Sequence, residues 1–303
     1  MFKKILIPLD GSAQAENALG PGLSLAAAVG AEVILLRVPV HKEAPSMAAA
    51  VFDFLRPELT REEVRLQAER YLKSVRQMQM GVDVPLKLLV QGENAASTIV
   101  DVAAAEEADL IVISTHGRTG LKRWFLGSVT EKVVRTADRP LLVVRSAAIP
   151  RKTMITLDGS ATAEQALQPG LALAHYWQTA VTLLRVVEPL DDSDLPTPDL
   201  PPQEAAAVRD QLLALAQQEA EAYLQAVVAQ QQQANGILET AVVPGIIAEA
   251  ILDYAKNNSV GLIALTSHGH HPEARWAYGS VAEKVIHGST GTVLIIPTHS
   301  ANG

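Results

Sequence analysis

The sequence predicts an α/β fold of two tandem, doubly wound units, each a parallel sheet with helices on both faces. Short apolar, β-branched segments alternate with longer amphipathic ones along the 303 residues, which is typical of parallel strands joined by helices. The same motifs also occur twice and in the same order. The matching segments are 5–19 with 154–167, 32–38 with 180–186, 115–117 with 267–269, and 127–133 with 279–285. We therefore expect two domains of one design, 1–147 and 148–303.

In the first unit, the strands are predicted from short, apolar, β-branched segments and the helices from longer amphipathic ones. The strands are expected near 3–9, 31–38, 84–90, 109–114 and 140–145. The helices are expected near 13–29, 57–80, 94–106 and 128–137. Gly20-Pro21-Gly22 lies inside the first helix, and no third glycine follows to form a dinucleotide-binding loop, so we interpret it as a helix kink.

The second unit repeats this pattern after a joint at residues 146–150. Its strands are expected near 152–157, 180–186, 237–243, 260–266 and 292–296. Its helices are expected near 161–177, 203–233, 246–257 and 280–287. Residues 188–202 are acidic and rich in proline, which predicts an exposed connector. Sheets of this kind bind ligands at the carboxyl ends of strands, where the winding direction reverses.

The bulk composition excludes several classes of protein. The net charge of −8 argues against a nucleic-acid-binding surface, which would be basic. The absence of cysteine excludes disulfides, thiolate metal sites and thiol catalysis. The amino terminus has no signal-peptide pattern, and no apolar segment reaches the ~18 residues that a membrane span needs. We expect a cytoplasmic protein with no membrane partner.

Residues 114–128 form the segment on which the functional prediction depends. They connect a predicted strand to a predicted helix, carry glycines that let backbone N–H groups face a ligand, and include three cations and no acid. A helix amino terminus also favours an anion. Ser128 is expected to cap the helix, with Glu131 completing a capping box. We predict that this segment holds the phosphates of a nucleotide.

Asp10 follows the first strand and faces the expected ligand crevice. Its carboxylate could accept a hydrogen bond from an adenine amino group or hold a divalent ion that bridges phosphates. Alternatively, Asp10 or Ser12 caps the following helix and Asp10 is structural. Local rules leave both interpretations open, and the repetition as Asp158 is compatible with either.

These residues resemble the universal stress protein family. The resemblance rests on Asp10 and on the spacing Ser114-x2-Gly117-x9-Gly127-Ser128, which recurs as Thr266-x2-Gly269-x9-Gly279-Ser280. It covers nearly the whole chain as a tandem of two domains. The resemblance implies an adenine nucleotide α-hydrolase-like fold with five parallel strands in the order 3-2-1-4-5. One branch of the family binds ATP through this motif and another does not.

Comparison with the ATP-binding branch implies a set of site residues. Strand ends would meet adenine and ribose, and the turn before the fourth helix would hold the phosphates. The implied residues of the first unit are Pro8, Leu9, Asp10, Val38, Ile113, Ser114, His116, Gly117, Arg118, Gly127, Ser128, Val129 and Thr130. Those of a second, weaker site are Leu157, Asp158, Val186, Thr266, His268, Gly269, Gly279, Ser280 and Val281. The protein alone is expected to hold no metal, although Asp10 would bind Mg²⁺ together with ATP.

The second unit departs from the first within the nine-residue span of the motif. His270 stands where the first unit has Arg118, and Glu273 adds an anion near the expected phosphates. Repulsion between like charges weakens binding there, so we expect nucleotide mainly in the first unit. The histidines at 268, 270 and 271 favour a polar loop over a metal site, because no cysteine or fixed histidine helix pair accompanies them.

Three functions remain open, and we favour a stress-response regulator that binds ATP or another adenine nucleotide and signals through partner contacts. A slow ATP hydrolase ranks below it because no general base, arginine finger or P-loop is present. The third is a scaffold of the same fold that binds no nucleotide. The resemblance also implies that strands 140–145 and 292–297 pair, which would make the chain an intramolecular pseudo-dimer. Association of two chains into a homodimer is left open.

Overall fold

The computed structural model describes residues 1–39, 60–79, 81–115, 126–190, 201–231, 238–268 and 279–298. The chain divides into two compact units, Met1–Ala148 and Ile149–Gly303. Within those described ranges, no helix is long and apolar enough to cross a membrane.

The first unit is a parallel sheet whose strands alternate with helices. Its elements are β1 (Lys4–Pro8), α1 (Ala13–Glu16), α2 (Leu19–Val29), β2 (Glu32–Arg37), α3 (Arg61–Met78), β3 (Leu86–Val90), α4 (Ala95–Ala105), β4 (Leu110–Ser114), α5 (Ser128–Thr136) and β5 (Leu141–Val144). Every pairing is parallel, and the strand order is β3-β2-β1-β4-β5. All residues of β4 and β5 are buried. Successive side chains point to opposite faces, so both faces of the sheet are covered.

The second unit repeats this architecture. Its elements are β6 (Lys152–Thr156), α6 (Ala161–Glu164), α7 (Leu167–Trp177), β7 (Ala180–Val187), α8 (Pro202–Gln230), β8 (Leu238–Pro244), α9 (Ile247–Asn257), β9 (Leu262–Thr266), α10 (Ser280–Gly288) and β10 (Thr292–Ile296). Its strands are also all parallel, in the order β8-β7-β6-β9-β10. The predicted fold, with order 3-2-1-4-5 in each unit, is confirmed.

The first helix of each unit differs from its prediction. The segments 13–29 and 161–177 were expected to form one kinked helix each, but each contains two helices. Pro21 and Pro169 have no N–H, so neither can donate to the carbonyl four residues earlier. Those carbonyls belong to Asn17 and Gln165, the C-cap residues that follow α1 and α6. The proline therefore ends the first helix instead of bending a continuous one.

The glycine after each proline brings α2 and α7 close to the first strand. A Cβ at Gly22 would lie 2.5 Å from Cδ1 of Ile7, and one at Gly170 would lie 2.8 Å from Cδ1 of Ile155. Both distances are shorter than a Cβ contact allows, so a larger residue at either position would require the isoleucine methyl to move. Glycine thus lets each helix pack closely on β1 or β6, whose carboxyl ends carry predicted site residues.

Candidate functional site

The turn between β4 and α5 presents an uncapped helix amino terminus. Gly127 is the N-cap, with φ −60° and ψ 147°, and no side chain caps the helix within the part of the chain that the structure describes. The prediction that Ser128 caps it in a capping box is wrong, because Ser128 is already the first helical residue. The carbonyl of Gly127 accepts instead from the N–H of Glu131 at 2.9 Å. The first N–H groups of a helix have no partner inside it, so those of Ser128 to Thr130 can bind a ligand.

Two hydrogen bonds attach this turn to the end of β4. The N–H of Gly127 donates to the carbonyl of Thr115 at 2.7 Å. The hydroxyl of Thr130 is buried and donates to the carbonyl of Ser114 at 2.8 Å. Thr130 is one of the predicted site residues, and its hydroxyl serves to place the helix. What Thr130 offers a ligand is its backbone N–H.

Asp10 and Ser12 share the structural role that the sequence left open. The Asp10 carboxylate accepts from the Ser12 N–H at 2.9 Å and from the Ser12 hydroxyl at 2.5 Å. The Ser12 oxygen accepts from the N–H of Ala15 at 3.1 Å, so Ser12 caps α1. Gly11 between them has φ +81°, which favours glycine. Asp10 thus holds the capping serine at the carboxyl end of β1.

The second unit has the same two features. Asp158 accepts from the N–H and hydroxyl of Ser160 at 2.9 and 2.6 Å, and Ser160 caps α6. Helix α10 begins at an N-cap without a side-chain hydrogen bond, Gly279, whose N–H donates to the carbonyl of Ser267 at 2.9 Å. Helices α5 and α10 therefore start in the same way. Ala282 stands where the first unit has Thr130, so the threonine anchor is absent there.

A cavity of about 490 Å³ opens at the carboxyl ends of β6, β7 and β9 in the second unit. Of the nine residues predicted for the second site, eight line it and Gly269 lies outside the described residues. The eight are Leu157, Asp158, Val186, Thr266, His268, Gly279, Ser280 and Val281. Arg185 and Glu188 also line it, and Glu188 is exposed, as expected for the first residue of the predicted connector.

The described residues predicted for the first site also lie at strand ends and at the start of a helix. Pro8 to Asp10 are at the carboxyl end of β1, Val38 follows β2, and Ile113 and Ser114 end β4. Gly127 to Thr130 begin α5. The parallel strands bring these ends to one edge of the sheet. His116, Gly117 and Arg118 lie outside the described residues.

His268 is held by two hydroxyls at the cavity wall. Its Nδ1 lies 3.2 Å from Oγ of Ser267 and 3.3 Å from Oγ1 of Thr298. These two hydroxyls are themselves 3.0 Å apart. Among the residues that the structure describes, no group of three or more histidine and acidic side chains could hold a metal ion.

Comparison with known proteins places the chain in a family. The model of the Universal stress protein family matches residues 1–145 and again 150–297. The chain belongs to the universal stress protein family.

Relatives match both single units and the tandem. Universal stress protein MJ0531 of Methanocaldococcus jannaschii is 37% identical over 147 residues, which are 48% of this chain and 83% of that protein. Universal stress protein Mb2028c of Mycobacterium bovis is 30% identical over 219 residues, 69% of each chain. A crystal structure of a universal stress protein from Archaeoglobus fulgidus DSM 4304 has the same fold, with a TM-score of 0.67 at 18% identity over 97% of this chain and 98% of that one.

In this universal stress protein, sequence reasoning missed a cluster beside each expected site. In the first unit, the hydroxyl of Tyr71 donates to Glu16 at 2.8 Å, and Cζ of Arg37 lies 6.0 Å from the centre of the tyrosine ring. Nη1 of Arg37 donates to the carbonyl of Leu9 at 3.3 Å, next to Asp10. Burial, followed by the hydrogen bond to Glu16, raises the pKa of Tyr71.

The second unit contains the same cluster. Tyr223 donates to Glu164 at 2.9 Å, and Cζ of Arg185 lies 5.1 Å from the centre of its ring. Burial, followed by the hydrogen bond to Glu164, raises the pKa of Tyr223 as well. The sequence could have revealed this cluster, because Leu-Leu-Arg-Val and Ala-Glu-x-Tyr-Leu, which contain its arginine and tyrosine, each occur in both units.

Proposed function

We propose that this protein is a stress-response regulator that binds an adenine nucleotide, ATP in the first instance, mainly in its first unit. The observation that carries the proposal is the amino terminus of α5, whose N-cap Gly127 has no side chain and which Gly127 and Thr130 hold at the end of β4. The first N–H groups of α5 and the helix dipole together favour the binding of a phosphate group there. The resemblance to the ATP-binding branch of the family supports the same assignment.

The strand ends beside this helix suit the nucleoside part of ATP. Neighbouring strands of a sheet are about 4.8 Å apart, so the end of β2 lies about 10 Å from the end of β4, with β1 between them. That span leaves room for adenine and ribose between Val38 and the phosphates. Leu9 and Val38 are buried and supply apolar surface. Asp10 would accept hydrogen bonds from the nucleoside or hold Mg²⁺ that arrives with the nucleotide.

In this proposal, nucleotide occupancy biases contacts with partner proteins. The pairing of strands 140–145 and 292–297 and the association of two chains stay predictions, as does the second site at the cavity of the second unit. Within the part of the chain that the structure describes, Asp10 and Asp158 hold the serines that cap α1 and α6, which suits binding more directly than hydrolysis.

The test is the release of nucleotide from the purified protein. Protein purified without added nucleotide is denatured by heat, and the supernatant is separated by anion-exchange chromatography. We expect ATP, or a second adenine nucleotide, at up to about one equivalent per chain. Absence of nucleotide in the supernatant, combined with no heat signal when ATP is titrated into the protein, would contradict the proposal.

A further inference from the structure

The acidic and guanidinium side chains of the second unit's cavity lie at one end of it. Three of its described lining residues carry these groups: Asp158 follows β6, Arg185 lies near the end of β7, and Glu188 follows β7. The opposite wall is the start of α10, where Gly279 to Ala282 carry no charge. Strand β6 separates β7 from β9, so Arg185 lies about 10 Å from the end of β9, which the turn into α10 follows.

Arg185 is held in place by two contacts. Its guanidinium lies over the ring of Tyr223, with 5.1 Å between Cζ and the ring centre. A Cβ built on Gly159 would lie 3.4 Å from each of Cζ, Nη1 and Nη2 of Arg185, so the flat face of the guanidinium packs on this glycine. Tyr223 is itself fixed by its hydrogen bond to Glu164. The arginine therefore loses little conformational freedom when it binds a ligand.

The charges at this end select the kind of group that Arg185 meets. Two carboxylates and one guanidinium leave a net charge of −1, which disfavours a phosphate. Arg185 is a fixed hydrogen-bond donor, and the two carboxylates are acceptors. Such a set suits an uncharged ligand group that has both donors and acceptors, such as a ribose or the edge of a purine. The phosphates of the ligand belong at the opposite wall, where the first N–H groups of α10 can donate to them.

We propose that Arg185 is the specificity-determining residue of this cavity, donating to the uncharged nucleoside part of the ligand while α10 takes its phosphates. This inference rests on the proposed nucleotide binding, and extends it to the second unit and to the orientation of the ligand there. The sequence reasoning assigned no role to Arg185. Its counterpart Arg37 in the first unit contacts Tyr71 in the same way.

The experiment isolates the second cavity in the full chain. Gly127→Asp supplies a favourable N-cap that places a carboxylate at the first phosphate position, so phosphate-bearing ligands bind the first unit more weakly while α5 is retained. AMP, ADP and ATP are then titrated by calorimetry into this protein with and without Arg185→Met. Loss of one charged hydrogen bond predicts about 10-fold weaker binding, by the same factor for all three ligands.

Control variants keep the outcome interpretable. Arg151→Met removes an exposed arginine of the same unit and is expected to leave all three affinities unchanged. Arg185→Lys keeps the positive charge but loses the planar guanidinium, so we expect a smaller loss of affinity that is again equal for the three ligands. This variant also tests the inference if Arg185→Met fails to fold. Circular dichroism checks the fold of each variant.

Three results would overturn the inference. A loss that grows with the number of phosphates would mean that Arg185 contacts the phosphates. Unchanged affinities in Arg185→Met would mean that it contacts no ligand. Failure of the Gly127→Asp protein to bind any of the three ligands, while the unsubstituted protein binds ATP, would remove the second site and leave the proposed function intact. The proposed function itself fails only if the unsubstituted protein binds none.

Discussion

Tyr71 on α3 donates a 2.8 Å hydrogen bond to Glu16 at the end of α1, across 55 positions of sequence. The bond joins a helix after β2 to the helix that follows β1, next to the Asp10 turn. Tyr223 and Glu164 make the same connection at 2.9 Å in the second unit. Each unit therefore ties two of its helices together beside its expected ligand site.

Tyr71→Phe removes this hydrogen bond and little else. Because the acceptor is a carboxylate and the pair is only partly buried, we expect the free energy of unfolding to fall by about 1.5 kcal/mol. Urea unfolding followed by circular dichroism measures the change. Tyr254→Phe in α9 is the control, and an equal loss in both variants would contradict a specific role for the bond.

Stability should fall at alkaline pH because of the two tyrosines. Burial and the neighbouring glutamates raise the pKa of Tyr71 and Tyr223 above the usual 10.0 in the folded state. A raised folded pKa means that the stabilisation is complete below pH 10 and is lost as the pH rises above it. Unfolding free energies between about pH 9 and about pH 11 test this. The double Tyr→Phe variant should show a shallower decline, and parallel curves would contradict the prediction.

The two phosphate positions can be compared by placing a carboxylate in each. Gly127→Asp puts a negative charge at the N-cap of α5, and we expect ATP to bind at least about 10-fold more weakly. Gly279→Asp makes the same change at α10 and should reduce the total binding of ATP much less. Calorimetric titration of both variants measures the difference. Equal losses would contradict the expected preference for the first unit.

The buried hydroxyl of Thr130 should matter for stability. Thr130→Val leaves the carbonyl of Ser114 without its donor inside the protein, which costs about 1 to 3 kcal/mol. Thr136 lies in the same helix, and its hydroxyl donates to the carbonyl of Lys132 at an exposed position. Thr136→Val should change stability by less than about 0.5 kcal/mol. Similar effects of the two substitutions on urea unfolding would show that the anchor is unimportant.

Gly159→Ala should affect both the backbone and the second cavity. Gly159 has φ +90°, so alanine costs about 1 kcal/mol, and its Cβ would press on Arg185. Gly30 has φ +67° with no atom near its Cβ position, so Gly30→Ala carries the backbone cost alone. Thermal unfolding should show a similar loss for both. Only Gly159→Ala should weaken AMP binding in the Gly127→Asp protein, and weakening by both would argue against a role for Arg185.

Local pattern was enough to predict where the elements lie. The strands end within two residues of their predicted limits, since strand length and apolar character are encoded in short segments. The glycine spacing around Gly127 and its repetition at Gly279 identified the turns that begin α5 and α10. Local rules failed where a distant atom competed, as when the Thr130 hydroxyl bonds to the carbonyl of Ser114, 16 positions earlier.

The repeat, the order of strands and helices along the chain, and the glycine-bearing turns before α5 and α10 could be predicted from the sequence, because each depends on residues close together in the chain. What the polar side chains do became visible only in the folded structure. It directs the Thr130 hydroxyl to Ser114 and brings Tyr223 over Arg185, 38 positions away. Such contacts depend on how strands and helices pack, and no local pattern records which distant partner a side chain meets.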